Sequence, residues 1–113
     1  MYYLKVISLE GCPYSEAANN LVKNNNIRSE IVIVKHSEKE KFKTDEINTF
    51  PQIYLKKRNS SGNQLIGGYT DIKSYYDLIH SSKNDLEIIK NKIKEDNKYL
   101  SDRSILRLIE LLV

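Results

Sequence analysis

Residues Leu9 to Ala18 read LEGCPYSEAA, and how this stretch is read decides the fold of the chain. Upstream, Tyr2 to Leu9 is a β-branched and aromatic run with little alternation, the pattern of a strand covered on both faces. Gly11 breaks the run. Pro13 fits the first turn of a helix, where its missing N–H costs nothing. From Tyr14 to Lys23, Ala17, Ala18, Leu21 and Val22 form one helical face, which the Asn24–Asn26 tract ends. The stretch is thus a joint between a strand and a helix, and at its centre lies the only cysteine of the chain, Cys12.

Working outward, Glu30 to Lys35 (EIVIVK) reads as a second buried strand. Ser37 with Glu40 forms a capping-box pattern that opens a short, highly charged helix running to about Asn48. Gln52 to Lys57 (QIYLKK) is a third strand, Asn59 to Asn63 supplies turn residues, and Gln64 to Ile66 returns as a short strand, making a hairpin. After Gly67 and Gly68, Thr70 caps a helix carrying Ile72, Tyr75, Tyr76 and Ile79. A strand–helix–strand start predicts two parallel strands with a crossover, and the hairpin makes the sheet mixed. Beyond Ser82 the pattern becomes purely helical. Leu86, Ile89 and Ile93 mark a helix from about Asp85 to Lys94, and a second, opened by Ser101 or Asp102, carries Ile105, Leu108, Ile109 and Leu112. The expected division is a domain over residues 1–82 and a helical extension over 83–113, packed on that domain or on a partner copy.

Bulk properties narrow the classes. A chain of 113 residues supports one modest core. Its 40% hydrophobic and 29% charged residues are ordinary for a globular protein. A formal charge of +3 suits a small anionic ligand and is too weak to argue for nucleic acid. No segment approaches a membrane span, and Met1 leads into YYLKVISL without a signal-peptide pattern. One cysteine permits no internal disulfide, so the expected setting is reducing and cytoplasmic. His36 and His80 lack any metal-ligand pattern, and no metal is expected. Lys56 to Arg58 reads as the solvated end of a hairpin strand.

A lone cysteine is commonly a buried, inert thiol. Here Gly11 and Pro13 place Cys12 in a loop at the positive end of a helix, where unpaired N–H groups and the macrodipole favour thiolate over thiol. The thiolate is the attacking species in disulfide exchange.

Three motifs now converge. CPYS at Cys12–Ser15, NTFPQIYL at Asn48–Leu55 and GGYTD at Gly67–Asp71 resemble, in order and spacing, the signatures of the glutaredoxins over about Tyr2 to Ser81. The resemblance implies an α/β, thioredoxin-like fold, with a four-stranded mixed sheet flanked by helices, and glutathione-dependent thiol–disulfide exchange. It makes Cys12 the nucleophile within an active-site motif of Pro13, Tyr14 and Ser15. It assigns glutathione binding to Tyr14, Thr49, Phe50, Pro51, Gly68, Thr70 and Asp71. Phe50 would pair its backbone with the cysteinyl part, Pro51 would be the family's cis-proline, and Thr70 and Asp71 would hold the γ-glutamyl end. The implied partners are glutathione as co-substrate and glutathionylated proteins or small mixed disulfides; nucleic acid and membrane are not among them.

The sequence departs from the family pattern in three places. Leu9 stands where the family often has a lysine, so Lys39, Lys41 or Lys43 would supply the positive charge, or the site works without one. The extension from about Lys83 is absent from the usual domain. Ser15 replaces the resolving cysteine of dithiol members, either naturally or by an introduced cysteine-to-serine change. Either origin leaves a monothiol route through Cys12, whereas electron delivery to ribonucleotide reductase, known for some dithiol relatives, would need the dithiol form. Two rivals share the fold: a glutathione-ligated [2Fe–2S] cluster carrier, disfavoured by the stiffness of Pro13, and a non-catalytic binding module.

Overall fold

β1 (Tyr2–Leu9) is the strand on which the others assemble. It pairs in parallel with β2 (Ser29–Val34), setting Val6 opposite Ile31, and antiparallel with β3 (Gln52–Lys57), setting Val6 opposite Ile53 and Leu4 opposite Leu55. β4 (Gln64–Gly67) closes the hairpin on β3, and the resulting four-stranded sheet has the order β2-β1-β3-β4. In this computed structural model, residues 1–81 and 85–113 are described. The expected boundary between residues 82 and 83 lies outside the described residues.

Among the described residues four α-helices accompany the strands: α1 (Pro13–Asn24), between β1 and β2, and α2 (Tyr69–Ile79), α3 (Leu86–Asp96) and α4 (Asp102–Leu112), after β4. Leu4, Val6, Ile53, Leu55 and Ile66 from the sheet share one buried cluster with Ala18 and Val22 of α1 and Ile72 and Tyr75 of α2. Ile89 and Ile93 of α3 and Ile105, Leu108, Ile109 and Leu112 of α4 belong to the same cluster. The apolar stripe of the extension therefore packs within its own chain. Polar bonds reinforce it: the Tyr75 hydroxyl donates to the Asp96 carboxylate at 2.8 Å, Asn97 Nδ2 donates to the Tyr75 oxygen at 2.9 Å, and His80 Nε2 lies 2.7 Å from the Leu112 carbonyl. Asp85 and Ser101 cap α3 and α4, accepting from the backbone N–H of Ile88 and Ser104.

The opposite sheet face is covered at one end only. There Gln52 is 1% exposed and donates to the Phe42 carbonyl at 2.8 Å, while further along Tyr3, Lys5, Tyr54 and Lys56 are only partly buried. β1 is thus not covered evenly on both faces.

Several sequence expectations are corrected. EIVIVK is not a second buried strand: β2 lies at the sheet edge and buries only Val34. The charged helix expected from Ser37 to Asn48 is a 3-10 helix over His36–Phe42 with no side-chain cap and no buried residue. Its capping pattern lacks an apolar stripe to dock, and tertiary packing is what sustains most short helices. Thr70 does not cap α2. Gly68 is the N-cap, and its N–H is accepted by the Asp71 carboxylate at 3.0 Å. Leu86 does not join the stripe of α3; it is 49% exposed.

Candidate active site

The joint in LEGCPYSEAA is held by two hydrogen bonds that share one residue. The Cys12 N–H donates to the Leu9 carbonyl at 3.1 Å, and the Leu9 N–H donates to Ser15 Oγ at 2.9 Å. Gly11, with φ +74°, makes the turn that lets the chain leave β1. Cys12 is then the N-cap of α1 in extended conformation, with Pro13 opening the helix. Its side chain makes no cap bond, so the thiol is left beside the first-turn N–H groups of α1. Cys12 is partly buried, whereas Ser15 is buried to 1% exposure.

Contacts lead from this thiol through all three motifs. Cys12 Sγ lies 3.9 Å from the Phe50 carbonyl oxygen. The Phe50–Pro51 peptide is cis, and Pro51 is buried. A Cβ placed on Gly68 would lie 3.5 Å from the Pro51 carbonyl, so the Gly-Gly turn passes directly beside the proline. Gly67 has φ +137°, and a Cβ there would fall onto the Asp71 carboxylate, which leaves glycine as the residue this turn accommodates. Across the opening, the Tyr14 ring faces that of Tyr69 with centroids 6.3 Å apart and planes tilted by 40°.

The structure therefore brings together Cys12, Tyr14, Phe50, Pro51, Gly68 and Asp71. Thr49 and Thr70 are exposed beside them, at the cis-proline loop and in the first turn of α2. Sequence reading missed two contributors. Tyr69, between the glycines and Thr70, forms the aromatic wall opposite Tyr14; its place inside GGYTD was the available signal. Gln52, next to Pro51, ties the start of β3 to the 3-10 helix through Phe42.

None of the lysines considered as a substitute for the missing one reaches the thiol. Lys41 pairs with Glu38 at 2.6 Å, Lys43 pairs with Glu40 at 2.9 Å, and Lys39 Nζ lies 3.4 Å from His36 Nε2. The Lys43 hydrogen bond and charge hold the Glu40 carboxyl below its usual range. Leu9 serves the site through its backbone, by the two bonds described above. Among the described residues no group of three or more His, Cys, Asp or Glu side chains is arranged to hold a metal ion.

The comparisons with known proteins now decide the family. The Glutaredoxin family model matches residues 1–59, more than half of the chain. The chain belongs to the glutaredoxin family. Its class is that of the thiol–disulfide oxidoreductases, and the family uses glutathione as a partner. A crystal structure of glutaredoxin 1 from Francisella tularensis, complexed with cacodylate, is similar at 26% identity and a TM-score of 0.53. That match covers 68% of this chain and 94% of the other, leaving about a third of this chain outside it. No curated protein matches the chain. No helix among the described residues is long and apolar enough to cross a membrane.

Proposed function

We propose that this glutaredoxin reduces glutathione mixed disulfides by a monothiol cycle through Cys12. The carrying observation is the pairing of one half-exposed thiol, at the N-terminus of α1, with a buried hydroxyl at residue 15 that is already occupied by the Leu9 N–H. No second thiol exists in the chain to close an internal disulfide.

In the first step the Cys12 thiolate attacks the glutathione sulfur of a mixed disulfide. The substrate–sulfur bond breaks, the substrate thiolate leaves and takes up a proton, and Cys12 is joined to glutathione. In the second step the thiolate of a free glutathione attacks the glutathione sulfur held on Cys12. Glutathione disulfide departs and the Cys12 thiolate is restored. Over the two steps, the substrate sulfur passes from the disulfide to the thiol level as the incoming glutathione sulfur passes from the thiol to the disulfide level, and the proton released by that glutathione balances the one taken up by the substrate.

Residues along the groove have separable roles in this reading. The Phe50 backbone, next to the cis-proline, aligns the cysteinyl part of glutathione as an added strand would. The N–H groups opening α2 at Thr70 receive the γ-glutamyl carboxylate, and Asp71, anchored on the Gly68 N–H, faces its ammonium. Tyr14, with Thr49 and Tyr69, walls the groove. The single cysteine supports a reducing, cytoplasmic setting. Steady-state turnover of a glutathione mixed disulfide is the test: Cys12→Ser should abolish it while leaving the fold intact by circular dichroism, and activity surviving that substitution would overturn the proposal.

A further inference from the structure

A second groove lies at the far end of the sheet. Cys12 follows the last residue of β1, while this groove is built around the first: Tyr2 forms its floor. The 8 residues of β1, at about 3.3 Å each, put roughly 25 Å between the two places. The groove has a volume of about 530 Å³. Arg28 enters from the approach to β2, Lys57 from the end of β3, and Arg103 and Arg107 from α4. Glu110 is its one acidic side chain.

Elsewhere on the surface some cations, such as Lys41, Lys73 and Lys92, pair with an acid three or four residues away, while others, such as Lys23, Lys35 and Arg58, have no acidic partner among the described residues. In the groove only Arg107 has such a partner, Glu110, at 2.9 Å. Lys57 and Arg103 have no acidic partner among the described residues, although they converge with Arg28 from distant parts of the chain. Two of the guanidinium groups are also held in place. Arg28 Nη1 donates to the Tyr2 carbonyl at 3.2 Å, and the Arg107 guanidinium sits 5.9 Å from the centre of the Tyr2 ring. Each retains further N–H donors for a ligand. Lys57, exposed at the end of β3 as the sequence suggests, lines the groove with these arginines because α4 packs against β1, whose Tyr2 pairs with Lys57. The C-terminal extension therefore supplies one side of the groove.

We infer that the extension completes a binding site for a small ligand carrying linked phosphates. Fixed guanidinium forks match phosphate oxygens in pairs, and a multiply charged anion would relieve the mutual repulsion of the gathered cations. The mild overall charge of the chain favours a compact polyanion over a long one. The site is independent of glutathione turnover.

Inorganic tripolyphosphate and adenosine triphosphate, titrated separately into the full chain by calorimetry, distinguish the possible sources of the phosphates. Equal affinity would show that the phosphate chain alone is read, and tighter binding of the nucleotide would show that the nucleoside adds contacts; both outcomes support the site. The affinity of either ligand should drop by about tenfold or more in Lys57→Glu and in Arg103→Glu. Both residues are at the surface, and turnover of a glutathione mixed disulfide should be unchanged in both variants, which checks folding. No saturable binding of either ligand, or binding that both variants retain in full, would overturn the inference.

Discussion

Ser15 occupies a position where its chemistry is easily mistaken for a mere vacancy. Its hydroxyl is buried and accepts the Leu9 N–H, and the Leu9 carbonyl in turn holds the Cys12 N–H. The residue thus fixes the loop that carries Cys12. Ser15→Ala would leave the Leu9 N–H without a partner, and a buried donor stranded in this way costs about 1–3 kcal/mol. Urea denaturation should register that loss, and Ser15→Cys, which retains a weak acceptor of similar size, should lose less. A larger loss in the cysteine variant than in the alanine variant would show that the hydrogen bond is not what residue 15 contributes.

At the scale of elements, α4 binds the extension to the domain. Leu108 is 0% exposed within the cluster shared by the sheet and all four helices. Leu108→Ala should therefore cost about 2–5 kcal/mol in urea denaturation, the range of a core truncation. The unfolding transition should shift as a whole; a separate early transition for α3 and α4 would show that the extension folds on its own. The sequence made most of these elements legible, because periodicity survives wherever a face is buried. β1, α1, the β3–β4 hairpin and the stripe of α4 all carry such a signal. It fails where burial is one-sided or where backbone does the work. EIVIVK has the composition of an interior strand, yet it has a neighbour on one side only. The charged run after His36 offers a capping pattern with nothing apolar behind it. Gly68 caps α2 without a side chain that could announce it, using the carboxylate of Asp71. In the site, Cys12, Phe50, Pro51 and Asp71 were marked by motif, whereas the roles of Ser15 and Gln52 depend on backbone partners that no motif specifies.

Considered whole, the molecule gathers its helices on one side of the sheet and seals the meeting of α2 and α3 with a phenol. Burial, and then the hydrogen bond to Asp96, push the Tyr75 hydroxyl well above the usual tyrosine range, with Asn97 opposing. The unfolded chain gives up this proton near the ordinary tyrosine value of 10.0, before the folded chain does. Stability from this group is therefore complete below about pH 10 and declines as pH rises beyond it. Tyr54, raised by burial and by the nearby Glu46 charge, acts in the same direction. Urea midpoints measured between about pH 8 and 11 should be level and then fall, and Tyr75→Phe should make the fall shallower. An equally steep fall in that variant would exclude Tyr75 as its source. The solitary thiol has a consequence of its own. A hydroxyl forms no disulfide, so Ser15 itself keeps one covalent form whatever the ambient thiol–disulfide balance. With a single cysteine the chain has no dithiol of its own in which to store a pair of reducing equivalents. In the proposed cycle the throughput is therefore set from outside, by the ambient supply of thiol.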